Sequence, residues 1–230
     1  MNQENQGLDF STVIASTVHD MKNSLAALIQ AHGQWVARMP EDLRTGAEHG
    51  VIEHEFAHLN SMLVQLLGLY KLGVNQLPVC PDYHELDDFI EAQLALHQDV
   101  LVQRNIQASW RVDAFSPLGF FDRELVASVV GNMIDNAVRH AGHALLLTID
   151  EEDEQLVISI NDDGPGYPQA MLDRQKEFIQ GIEPSSGSTG LGLYFASRIA
   201  ALHGRDGIQG RIEISNGGAL GGGVFRLFLP

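Results

Sequence analysis

The stretch "GNMIDNAVRHA", residues 131–141, decides how the chain is read. Asn132 and Asn136 stand four residues apart and Arg139 follows one turn on, so two amides and a guanidinium share one face of a helix. Such a face suits a phosphate–metal site. An amide oxygen is a hard ligand for Mg²⁺, which keeps most of its waters and takes the rest of its shell from phosphate oxygens, while Arg neutralises phosphate charge.

Working outward towards the C-terminus, "INDDGPGY" (160–167) ends an apolar strand in two carboxylates and a Gly-Pro-Gly turn. A carboxylate at a strand end can accept a hydrogen bond from an exocyclic amine such as that of adenine, and glycine lets backbone approach a ligand closely. "GSTGLGLYFASRIAALHG" (187–204) is a Gly-rich loop running into a helix, where free N–H groups and the helix dipole both favour an anion. It lacks the Gly-Lys-Ser/Thr of a P-loop and the strand-first context of a dinucleotide fold. Between and around these motifs the pattern predicts helices over 85–103, 122–140 and 190–203. Strands are predicted in "IQASWRV", "ALLLTID", "QLVISIN", "GRIEISN" and "GVFRLFL", the second and third pairing around the acidic turn 150–155. Strands mixed with helices on one side imply an α+β chain whose C-terminal part is a sandwich.

Towards the N-terminus, a linker over roughly 73–84 separates this region from two long helical seams. Ile14, Val18, Met21, Leu25, Leu28, His32, Trp35 and Met39 step by threes and fours, and Pro40 should end that helix. Ile52, Phe56, Leu59, Leu63, Leu66 and Tyr70 form the second seam. Two helices cannot cover both seams, so a homodimer that closes a four-helix bundle is expected. In "VHDMKNSLAAL" (18–28), His19 lies one residue past the seam position Val18 and turns about 100° towards solvent. A neutral imidazole near its ordinary pKa of about 6.5 has a free lone pair, and the adjacent Asp20 can hold the proton on the other nitrogen. Asn23 shares the His19 face one turn along.

Composition restricts the function. With 14 Lys and Arg against 30 Asp and Glu, the formal charge is −16, which disfavours nucleic acid and anionic lipid as partners. The single Cys80 cannot form an internal disulfide, no leader is evident, and no apolar run of about 20 residues could span a bilayer, so the chain reads as cytoplasmic.

In this order the three motifs resemble those of the GHKL ATP-binding domain, and the His-bearing hairpin before them is similar to the dimerisation and phosphotransfer domain of sensor histidine kinases. The resemblance runs from about residue 11 to 230. It implies a dimerisation and phosphotransfer domain over 1–76 and a catalytic ATP-binding domain over 77–230. It makes His19 the phosphoacceptor, gives Asp20 general-base work, and has Asn23 place a water that hydrolyses a partner's phospho-aspartate. It assigns Mg²⁺ to Asn136, puts Asn132, Arg139 and His140 near phosphates and adenine at Asp162, makes Gly164 and Gly166 the first glycine pair, and assigns Thr189, Gly190, Leu191 and Gly192 to the second glycine box. Ser188 stands where that box usually begins with Gly, and 167–186 carries Phe178 but no clear phenylalanine-centred box. The implied cofactors are ATP and Mg²⁺, and the implied partner is a response regulator receiver domain. No sensor domain precedes the hairpin, which leaves either a shortened chain or a separate sensor protein as the source of input. Two other readings fit fewer of these residues: a phosphotransfer adaptor with a vestigial ATP domain, and a GHKL serine kinase or chaperone-like ATPase, which has no need of an exposed His-Asp pair.

Overall fold

A computed structural model of the chain describes residues 10–39, 47–73, 77–173, 175 and 191–230. The chain divides into two compact units, Met1–Leu77 and Pro78–Pro230.

In the first unit, α1 (Phe10–Ala37) and α2 (Ala47–Gly73) pack against each other. The contact is made by Val18, Leu25 and Leu63, all buried, with Phe56 and Leu67 beside them. His32 is a packing residue, its ring 5.5 Å from Phe56 edge-on and 6.2 Å from Trp35. The first helix ends just before Pro40, as the fixed φ and missing N–H of proline require. The hairpin covers only part of the first seam: Met21, Leu28 and Trp35 remain 51, 57 and 55% exposed. Among the described residues no helix is long and apolar enough to cross a membrane.

The second unit opens with β1 (Asp82–Glu85), α3 (Leu86–Leu96), α4 (Gln98–Gln103), β2 (Gln107–Val112), β3 (Leu118–Phe121) and α5 (Arg123–His140). It continues through β4 (Ala144–Glu152), β5 (Gln155–Asp162), α6 (Gln169–Asp173) and α7 (Leu191–Leu202). It closes with β6 (Gly204–Arg205), β7 (Ile208–Gln209), β8 (Arg211–Asn216) and β9 (Gly223–Leu229). The main sheet has the order β2-β4-β5-β9-β8, with β2 parallel to β4 and every other pair antiparallel. Alternation along its strands gives one helix-facing line of side chains, in which Leu147, Ile160, Phe225 and Ile214 stand in register beside Ile149, Ile158, Leu227 and Ile212. All eight are buried, against Val126, Val130, Met133 and Ile134 of α5 and Leu193, Ala196 and Ile199 of α7. On the other face the Arg211 guanidinium lies 3.5 Å from the centre of the Phe228 ring, so arginine stems and cation–π contact cover apolar surface there.

Two features differ from the sequence reading. The helix expected over 85–103 is broken at His97 into α3 and α4, and the expected linker ends early, because β1 pairs with β3 in a separate two-stranded ladder. The predicted acidic turn is a two-residue hairpin loop in which Asp153 and Glu154 both take positive φ, 49° and 64°.

A polar knot fixes the helix layer. Asp122 caps α5 by accepting from the Leu125 N–H at 3.0 Å, and its second oxygen accepts from the Cys80 N–H at 2.8 Å. The Asp122 N–H in turn donates to Nε2 of the buried His203 at 3.1 Å, while Nδ1 of that ring meets the Ile199 carbonyl at 2.9 Å. That pairing makes His203 a neutral imidazole with its proton on Nδ1, joining the start of α5 to the end of α7.

Candidate functional site

The site is built along α5. Asn132, Asn136 and Arg139 are half-buried on it and His140 is exposed at its last residue. At one end of this face α7 begins: Gly192 sits so close that a Cβ there would lie 2.9 Å from Asn132 Nδ2 and 3.4 Å from Met133 Cε. At the other end lies the turn after β5, where a Cβ on Gly164 would collide with the His140 carbonyl oxygen. The three motifs, separated in sequence, therefore meet on a single helix, with Asn136 midway.

Asp162 ends β5 in register with Leu145, which places its side chain on the helix-facing side of the sheet just beyond Ile160. It is 9% exposed. Its Oδ1 accepts from the Gly164 N–H at 2.8 Å and the Gly223 N–H at 3.2 Å. Its Oδ2 accepts from no described residue. The residue is buried while Oδ2 keeps a vacant lone pair, so this oxygen is suited to accept from a donor outside the protein. Glycine is required around it: a Cβ on Gly222 would lie 2.5 Å from the Asp162 carbonyl oxygen, 2.6 Å from Oδ1 and 2.6 Å from the Gly164 nitrogen.

Gly166 takes φ +78° and precedes Tyr167, whose half-buried ring borders the gap left by Gly223. Burial, and then the charge of Asp162, push the Tyr167 phenol above its ordinary pKa. Asp163 is a structural residue: it accepts from the Gly142 N–H at 2.8 Å and the His143 N–H at 2.9 and 3.0 Å. The His143 N–H foremost, and then the Ala144 and Gly142 N–H groups, hold its carboxyl below the ordinary carboxylate range.

Behind α5, the break at His97 has a partner. Nδ1 of that ring is 2.7 Å from the Gln93 carbonyl oxygen, and Nε2 lies 3.4 Å from Asp135 Oδ1, one residue before Asn136. Burial pulls the ring's pKa down, but the hydrogen bond and charge of Asp135, with the Gln93 and Gly131 carbonyls, outweigh it and leave the net value raised. Sequence reading missed His97 because nothing local marks a histidine whose partner lies on another helix.

In the first unit His19, Asp20 and Asn23 lie on α1; Asp20 and Asn23 are exposed, while the His19 side chain is outside the described residues. Thr189 and Gly190 also lie outside them, and Leu191 and Gly192 open α7. Among the described residues no cluster of three or more His, Cys, Asp or Glu forms a metal site. The donor set nevertheless suits Mg²⁺ held chiefly by a nucleotide, since the side-chain amide of Asn136 makes no hydrogen bond to a described residue and offers a single hard oxygen.

Residues 121–230 match the family of histidine kinase-, DNA gyrase B- and HSP90-like ATPases. The chain is similar to the signal transduction histidine-protein kinase AfsQ2 of Streptomyces coelicolor, with 33% identity over 105 residues that span 44% of this chain and 18% of that protein. It is also similar to the adaptive-response sensory kinase SasA of Crocosphaera subtropica, 24% identical over 207 residues, 83% of this chain and 53% of that protein. In fold it is similar to full-length ShkA solved in complex with AMPPNP, with a TM-score of 0.67 at 20% identity, over 96% of this chain and 46% of that one. The chain thus spans about half or less of the length of these relatives.

Proposed function

We propose, for a chain whose residues 121–230 match the family of histidine kinase-, DNA gyrase B- and HSP90-like ATPases, that it is the kinase core of a two-component system: it phosphorylates His19 from Mg-ATP and passes the phosphoryl group to an Asp of a response regulator receiver domain, with phosphatase action on that Asp as a second activity. The domains are 1–76 for dimerisation and phosphotransfer and 77–230 for ATP binding, and the working assembly is a cytoplasmic homodimer that receives its input from a separate sensor protein or from a longer form of the chain. The observation that carries this reading is the convergence on α5 of Asn132 and Gly192 at one end and His140 and Gly164 at the other, beside the open oxygen of Asp162.

In this reading Asp162 Oδ2 accepts the exocyclic amine of adenine, and Gly164 and Gly166 let the backbone close around the base. Asn132, Arg139, His140 and the second glycine box (Thr189, Gly190, Leu191, Gly192) hold the phosphates, and the N-terminus of α7 favours their charge. Asn136 would hold Mg²⁺, which would supply neutralisation of phosphate charge. Asp20 orients the His19 ring and holds the proton of the nitrogen that does not react. The other nitrogen forms the N–P bond as the bond between the γ-phosphorus and its bridging oxygen breaks, and ADP departs with that oxygen. Little covalent chemistry falls to the protein, because the transition state is loose and positioning dominates. Asn23, one turn from His19, both donates and accepts hydrogen bonds and suits the placing of a water for phospho-aspartate hydrolysis.

The test is incubation of the chain with γ-labelled ATP and Mg²⁺. Label that is acid-labile and alkali-stable, and that is lost in His19→Gln while ATP affinity stays within twofold, is the expected result. Label retained by His19→Gln would overturn the assignment.

A further inference from the structure

The last residue of β8 is one that none of the nucleotide motifs contains. Asn216 holds both polar backbone groups of Tyr167, 49 positions away: the Tyr167 N–H donates to Asn216 Oδ1 at 2.7 Å, and Asn216 Nδ2 donates to the Tyr167 carbonyl at 2.8 Å. The two-point clamp ties both polar groups of the Tyr167 backbone to one side chain, and the fit is close, since a Cβ on Gly166 would lie 2.5 Å from Asn216 Oδ1. The clamp aims the Tyr167 ring. A point where Gly223 would carry a Cβ is 3.3 Å from Tyr167 Cε2 and 2.8 Å from Asp162 Oδ2, so ring and open carboxylate oxygen bound the same gap. The chain beyond Asn216 returns to the same place, with the Gly217 N–H donating to the Gly222 carbonyl at 2.9 Å and the Gly222 N–H to the Asp162 carbonyl at 3.1 Å.

We infer that Asn216 is a positioning residue for base selection: by fixing Tyr167 it sets the wall that presents an exocyclic amine to Asp162 Oδ2. This rests on the reading that adenine binds at Asp162. A wall of fixed position matters because a hydrogen bond to a charged acceptor weakens steeply with misalignment, and because a tight, dry pocket makes the amine-lacking base leave Asp162 unpaired.

The experiment compares Mg²⁺-supported binding of ATP and of purine riboside triphosphate, which lacks only the 6-amino group, by titration calorimetry on the full chain. The wild type is expected to bind ATP at least tenfold more tightly than the analogue. Asn216→Ala should lower ATP affinity about tenfold and analogue affinity less than threefold, so that discrimination falls by threefold or more. Thermal unfolding without nucleotide checks the fold; should Asn216→Ala not fold, Asn216→Asp, which keeps the acceptor and loses the donor, is read against the same threefold threshold. A smaller fall in discrimination, including equal loss for both nucleotides, would make Asn216 merely structural and overturn the inference. A wild type that does not discriminate would instead overturn the placing of adenine at Asp162, and this inference with it.

Discussion

At the scale of single residues, the division of labour between the two oxygens of Asp162 matters most. Oδ1 is committed to the N–H groups of Gly164, in the turn after β5, and Gly223, at the start of β9, and a Cβ on either would clash at this separation. An Asn at this position must keep its oxygen towards those two donors, which turns its NH₂ to the place of Oδ2, donor facing donor. Asp162→Asn is therefore expected to weaken ATP binding at least tenfold, about 1.4 kcal/mol, with the unfolding midpoint of the nucleotide-free protein moved by only a few degrees. Equilibrium titration of the variant with ATP checks this, and unchanged affinity would remove Asp162 from the base contact.

At the scale of elements, the break between α3 and α4 is held to α5 by His97 and Asp135. The His97 ring has a folded-state pKa above its ordinary value of 6.5, so protonation favours the folded state. The stabilisation is complete below about pH 6.5 and is lost as pH rises through the higher folded-state value. Asp135 is partly exposed, with 39% of its side chain open, which screens the pair and limits its worth to about 1 kcal/mol. Asp135→Asn should lower the unfolding midpoint by roughly 2–4 °C at pH 6 and by less than 1 °C at pH 9. A loss of equal size at both pH values would show that the ionic pair does not hold this junction.

At the scale of the whole molecule, the helical unit leaves Met21, Leu28 and Trp35 more than half exposed along one helix, although Leu25 between them and Val18 just before them are buried. Large side chains repeating at heptad spacing are costly to leave in water, and a second copy that buries them is the solution proposed above. Leu28→Glu combined with Trp35→Glu is expected to convert a dimer to a monomer in light scattering coupled to size exclusion, with helical circular dichroism largely kept and ATP affinity within twofold. Unchanged dimer mass would place the self-association surface elsewhere.

The local sequence determined whatever depends on neighbours within a few turns or one strand. The face of α5 follows from Asn132, Asn136 and Arg139 at helical spacing, the apolar line of β5 follows from alternation, and the stop of α1 follows from Pro40. Periodicity reports which side of an element is buried, so these features were legible without coordinates. The glycines around Asp162 were legible only as a turn; that Gly222 and Gly223 close on it from the far end of the chain was not. The same holds for the break of a helix at His97, the pairing of β1 with β3, the Asp122–His203 knot and the Asn216 clamp. Each joins groups that no local pattern connects, and its partners are chosen by the path of the chain once the sheet and helix layers have packed. The tertiary structure alone decided them, because a buried polar group takes whatever donor or acceptor the packed chain brings within about 3 Å.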